Sequence, residues 1–357
     1  MKKVLFASTA LVAFASAAAA EVTLSGMAEM GIFDTNADGV DPQFHTDIDV
    51  TFTMSGETDG GLVFGASVDL DESDGSNVGE SSAPSVAGPG PDGVLGTADD
   101  EIEFAVPGSF GASPAFSGDT QGGETIFLSG GFGTITMGDT DGALDWAVTE
   151  VLFNSGSLTD NEEHGGYFDG AGLDGMGDGQ ILRYDYTVGD FAFALSAEQQ
   201  DNDTSDAILG IGFKYGLDFG GTVIDLGLGY QATEDSIDLD LDGDDDTTEN
   251  VDVVALSANA TFGSITGGLI FASADMGDDN DVDHYGVGVG YSAGAIALHA
   301  NYGKFDIEDG DDVEGFGLTA GYDLGGGAQV QFGYGTTDSP VETDDVDTYS
   351  FGVAMSF

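Results

Sequence analysis

The chain has 357 residues, of which 66 are acidic and only 5 basic, giving a formal charge of -61 at pH 7. Such a field repels nucleic acid and anionic surfaces and attracts cations, and the absence of cysteine excludes disulfides and thiol chemistry. Hydrophobic residues still make up 41%, with 24 Phe, too many for a chain kept disordered by its charge.

Residues 1–20 begin with Lys2 and Lys3, continue through a short apolar run and end in alanines before Glu21. That pattern is expected of a cleaved secretory signal peptide, and the run is too short to span a bilayer as a helix. Without it, Arg183, Lys214 and Lys304 are the remaining basic residues. No later stretch approaches the roughly 18 apolar residues of a spanning helix. An exported chain of this kind enters a membrane through strands or not at all.

From Glu21 onward, alternation with period two recurs along the chain. In residues 44–55, Phe44, Ile48, Val50, Phe52 and Met54 share one face, and His45, Asp47, Asp49, Thr51 and Thr53 share the other. In residues 181–188, Leu182, Tyr184, Tyr186 and Val188 alternate with Arg183, Asp185 and Thr187. Ile224, Leu226, Leu228 and Tyr230 repeat the pattern, as do Tyr349, Phe351, Val353, Met355 and Phe357 at the end.

Short glycine-bearing turns alternate with longer acidic loops, among them 71–123, 139–179 and 232–248. Together they delimit about 16 strands, the pattern of an outer-membrane barrel. A closed barrel pairs every backbone polar group inside a bilayer. Tyr215, Tyr230, Tyr291, Tyr302, Tyr322 and Tyr334 fall near strand ends, where an interfacial aromatic belt belongs. The expected fold is therefore all-β, a 16-stranded antiparallel transmembrane barrel over residues 21–357.

Residues 139–179 stand apart. Connections longer than about 12–15 residues are functional or disordered. The first half carries Leu144, Trp146, Val148, Val151, Leu152 and Phe153, and the second half is acidic and rich in glycine. The apolar half needs a surface to pack on, so this loop is expected to fold into the barrel lumen and narrow a water-filled pore. The other reading is a disordered surface insertion.

The segments EVTLSGMAEMGIF, FTMSGETDGGLVFGASV and FLSGGFGTITMGDTDGAL, followed by a last strand ending in Phe357, resemble the general porins of Gram-negative bacteria, in the α-proteobacterial, Rhodobacter-like form. The resemblance spans residues 21–357 and is weakest in the long loops. It implies a homotrimeric barrel in the outer membrane, set among outer-membrane lipid and lipopolysaccharide. It also implies passive diffusion of small hydrophilic solutes and a third long loop, here 139–179, that forms the constriction.

General porins set acids on that loop against arginines on the wall, and here the chain departs from them. The polar face of the second strand carries Asp47 and Asp49, and the loop carries Asp141, Asp145, Glu150, Asp160, Glu162 and Glu163. Arg183 and Lys214 are the only basic residues placed inward by alternation. Acids on both sides favour a cation-selective pore. A single acid in such a chain is more simply a solvated surface group, since a high-salt habitat would explain much of the acidity.

No cofactor is required by this reading. Asp238, Asp240, Asp242 and Gly243, followed by Glu249, match a calcium-loop spacing that converges alternate carboxylates on one ion. The same spacing also arises by chance in a chain so rich in Asp. His45, His164, His284 and His299 are too scattered for zinc, and no Ser nucleophile elbow is present. The chain reads as a channel and not an enzyme, with a calcium-stabilised barrel of structural or hydrolytic role as the alternative.

Overall fold

A computed structural model of the chain describes residues 21–36, 41–72, 120–200, 206–237, 247–275, 281–307, 310–338 and 345–357. The expected signal peptide, most of the 71–123 loop, and Asp238, Asp240 and Asp242 lie outside the described residues.

Sixteen strands follow one another: β1 (Glu21–Thr35), β2 (Gln43–Glu57), β3 (Val63–Glu72), β4 (Thr120–Gly130), β5 (Gly133–Gly138), β6 (Ile181–Val188), β7 (Phe191–Glu198) and β8 (Ile208–Asp218) form the first half. The second half is β9 (Thr222–Ile237), β10 (Thr247–Phe262), β11 (Ile265–Asp275), β12 (Asp281–Ala293), β13 (Ile296–Ile307), β14 (Val313–Gly325), β15 (Ala328–Asp338) and β16 (Val346–Ser356). Each strand pairs antiparallel with its neighbour in sequence, and β1 pairs with β16, so the sheet closes into a barrel. Closure removes the unpaired edges that a strand would otherwise expose to lipid. At the short-turn end the seam is finished by the terminal residue, whose N–H donates to the Gly26 carbonyl at 2.9 Å.

The alternation has a direct structural outcome. Phe44, Ile126, Leu209, Leu269, Phe351 and Phe357 are more than half exposed, which in a barrel of this pattern means facing lipid. The inward face of the barrel carries His45, Gln231, Ser257, Asn259, Asn301, Thr319 and Ser350, all buried. One connection differs from its sequence reading. Residues 232–248 were expected as one loop, yet Ala232 pairs with Asp252 and Ile237 with Thr247. The ladder continues through a polar stretch because an antiparallel pair beyond the bilayer keeps water on both faces and needs no apolar side.

Among the described residues the one helix is α1 (Ala143–Ala147), inside the long loop. The loop also supplies the main core. Leu144, Val148, Val151, Tyr167 and Leu173 pack on Ile208, Val251, Val253, Ala255, Ile270 and Ala272 of the wall. Each buried aliphatic side chain contributes roughly 1.5–3 kcal/mol, so the apolar half of the loop holds itself against the barrel interior.

Candidate pore constriction

The loop leaves β5, runs around the inside of the wall and returns to β6. Side chains of the wall hold it along the way. The Ala143 N–H donates to Ser196 Oγ on β7 at 2.9 Å, and the Thr149 N–H to Ser257 Oγ on β10 at 2.9 Å. The Phe153 N–H donates to His299 Nδ1 on β13 at 3.3 Å. Further on, Thr319 Oγ1 donates to the Ser155 carbonyl, Asn301 Nδ2 to the Glu162 carbonyl and the Gly165 N–H to Thr337 Oγ1, each at 2.8 Å. Ser350 of β16 donates to Asn161 Oδ1.

Glycines on the inward face give this strap its seat. A Cβ at Gly212 or Gly229 would lie 1.9 Å from the Ala143 oxygen or 2.6 Å from Leu144 Cα. At Gly288 it would meet the Val151 oxygen at 2.0 Å, and at Gly303 the Gly166 oxygen at 1.9 Å. Gly317, Gly335 and Gly31 are equally close to Glu162, Asn161 and Leu158. Loop backbone thus approaches wall backbone on β8, β9 and β12–β15, and the Leu158 side chain reaches Gly31 on β1, approaches that only glycine permits. The docked body of the loop lies on β7–β16 and β1.

The charged groups singled out by sequence fall in different places. Asp47 and Asp49 are half-buried on the inward face of β2, and Glu29 of β1 lies close enough to both, and to Asp160 and Glu162, to feel all four charges. Asp69 on β3 accepts from Thr51 Oγ1 at 3.1 Å. At the mouth of the loop Asp141 is exposed; its carbonyl accepts from Arg183 Nη1 at 2.6 Å and its carboxylate lies 3.6 Å from the same atom. Arg183 also faces Asp185 at 3.7 Å. Lys214 stands 4.4 Å above the Trp146 ring, a cation–π contact between wall and loop. Asp160 is exposed, with φ 42°.

Glu162 departs from the sequence reading. It is 3% exposed, and its carboxylate accepts the Ser157 N–H at 3.1 Å and the Ser157 hydroxyl. It fastens the loop tip to itself and presents no charge to water. The local chain turns tightly enough here for a side chain five residues on to reach back, which alternation patterns do not reveal.

Other loop acids sit between wall and water. Burial pushes the Asp145 carboxyl up to about 8, helped by the charges of Asp141, Asp174, Glu150 and Asp169. Burial and the charges of Asp160, Glu162, Glu150 and Asp169 take Glu163 up to about 9. Glu162 and Asp174 are each raised to about 7 by burial, against the hydrogen bonds they accept. Glu150 is raised by burial, opposed by the hydrogen bond it accepts from the Tyr167 hydroxyl. His164, buried among other histidines, is pushed down to about 3 and is neutral.

A profile described as Gram-negative porin matches residues 7–353. A curated porin of Rhodobacter capsulatus is 31% identical over 347 residues, covering 90% of this chain and 95% of that protein. The chain belongs to the Gram-negative porin family. A porin structure refined at 1.8 Å resolution superposes with a TM-score of 0.65 at 27% identity, covering 94% of this chain and all of that one. A mutant of the Rh. blastica porin, 17% identical with a TM-score of 0.56 over 94% of this chain, shares the fold.

As a porin, the chain is an outer-membrane channel, and the loop lies as a strap inside its barrel. Sequence reading missed two of the residues that build the strap's seat. Glu198, 2% exposed, accepts three loop N–H groups; Gln231, fully buried, accepts the Leu173 N–H at 2.9 Å and donates to Asp174. On the wall it also missed Glu29, which faces His45 at 4.0 Å. The available signal was a polar residue on the inward face of a strand whose other inward residues are small, as at Glu198 after Ala192, Ala194 and Ser196. Among the described residues no three His, Asp or Glu side chains stand close enough to hold a metal ion.

Proposed function

We propose that this porin passes small hydrophilic solutes by diffusion and selects cations. The observation that carries this reading is the charge on the two sides of the water path. Asp47, Asp49 and Asp69 lie on the wall, and Asp141 and Asp160 on the loop, while Arg183 and Lys214 are both engaged. Fixed charge acts within roughly a Debye length, about 8 Å at physiological salt, which is the scale of a narrowed pore. Asp145 and Glu163 add charge as they ionise. Entry of solutes of equal size into proteoliposomes tests it. Cationic amino compounds enter fastest, uncharged sugars next and carboxylates slowest; equal rates for cations and carboxylates contradict it.

The assembly we propose is a homotrimer embedded in outer-membrane lipid and lipopolysaccharide, made after removal of residues 1–20. The support is the porin membership and the apolar outer face. We also propose that calcium orders the tip between β9 and β10, through Asp238, Asp240, Asp242 and Glu249. The supporting observation is that the β9–β10 ladder runs out to Ile237 opposite Thr247, which brings the two ends of the acidic segment 238–246 together. A D240A/E249A variant should lose the calcium-dependent part of its thermal stability. Equal calcium titrations of variant and wild type would remove this site. The channel role needs neither a catalytic group nor a required cofactor.

A further inference from the structure

The loop's return segment, residues 175–179, has glycine at every second position, and Gly175 and Gly179 hold φ of 80° and 72°. In this segment alternate backbone N–H groups, those of Gly175, Gly177 and Gly179, converge on one point and form a cradle for an anion. The anion is supplied by the wall. Glu198, the last residue of β7, is 2% exposed. Its Oε2 accepts the Gly175 N–H at 3.0 Å, and its Oε1 accepts the N–H groups of Gly177 at 3.1 Å and Gly179 at 2.9 Å. A side chain at Gly177 would meet the Gln199 carbonyl at 2.4 Å, so the segment lies flush on the strand end.

A second tie lies beside it. Gln231 of β9 donates to Asp174, and Asp174 Oδ2 accepts the Gly142 N–H at 2.6 Å. Gly142 opens the inward part of the loop and Asp174 closes it, so its two legs meet at this point.

We propose that Glu198 is the positioning residue that closes the neck of the constriction loop, and so sets the cross-section of the pore and the placement of Asp141, Asp145 and Asp174 at its mouth. The inference rests on the reading of this loop as the constriction. Three charge-assisted hydrogen bonds from one loop segment converge on one buried carboxylate. Losing the carboxylate frees the 174–179 leg while leaving the strand ladder, and with it the barrel, unchanged. Glutamine keeps Oε1 for Gly177 and Gly179 but points Nε2 at the Gly175 N–H, so it restores the clamp in part.

Single-channel recording of refolded wild type, E198Q and E198A tests this. It is combined with limited proteolysis and the mobility of unheated protein on a gel. The expected result is folded barrel in all three, one open level in wild type, a spread of levels in E198A and intermediate behaviour in E198Q. New cleavage should fall within residues 139–179 of E198A. One sharp level and no new cleavage in E198A overturn the proposal; if E198A does not refold, the same result in E198Q overturns it. Wild-type protein that opens no channel would instead contradict the pore reading itself.

Discussion

Replacing Gly288 by alanine places a Cβ 2.0 Å from the Val151 carbonyl oxygen, whereas at Gly267 the nearest atom is 3.7 Å away. Both glycines belong to neighbouring strands, but only one faces the loop. Overpacking a fixed backbone contact typically costs about 1–3 kcal/mol, here charged to loop docking and not to the strand ladder. G288A and G303A are expected to shift the loop and change single-channel conductance, with G267A behaving as wild type. Equal conductance for all three would show that the loop does not press on the wall at these points. This belt explains much of a glycine content of 59 residues, which composition alone assigns only to turns.

At the scale of the loop, its carboxyls resist ionisation. Folded values near 7 for Glu162 and Asp174, 8 for Asp145 and 9 for Glu163 all lie above the ordinary carboxylate range. A raised carboxylate contributes stability that is full below its unfolded value, about 4, and is lost as pH rises through its folded value. Loop docking should therefore be tightest near pH 4 and loosen progressively up to about pH 9, with the Glu162 and Asp174 contributions ending near pH 7. Proteolysis within residues 139–179 should rise over that window in a chelator-containing buffer while the barrel stays folded. Cleavage that is flat with pH, or that rises only on acidification, would contradict these environments.

The loop itself was legible in the sequence, since its apolar half had to meet a surface. Its docking surface was also written there. Val251, Val253 and Ala255 alternate with Val254 and Leu256, so both faces of β10 are apolar where a half-solvated strand would be polar on one. What could not be read was the contact of Glu162 with Ser157 and of Glu198 with three N–H groups. Those depend on how residues at positive φ fold the chain back, Asp160 before Glu162 and Gly175 and Gly179 around Glu198, which no periodicity encodes.

At the scale of the whole molecule, strand number and closure followed from alternation and turn spacing, because lipid on one face imposes period two on every strand. The sign of the pore's charge follows from the imbalance of 66 acidic and 5 basic residues, but its placement needed the fold. Asp47 and Asp49 come together with Asp160 and Glu29 only because the loop runs the whole way round to β1. D47N/D49N/D141N/D160N should reduce cation preference, with single changes masked by the remaining acids. The bias should also fade as salt rises toward 1 M, where the Debye length falls to about 3 Å.

The most direct test of the central claim is the zero-current potential of the wild-type channel in a planar bilayer, under a gradient of potassium chloride at low salt. The account predicts a potential of the sign set by potassium, growing as pH rises from 6 to 9 and Asp145 and Glu163 ionise. A potential of the sign set by chloride would contradict it.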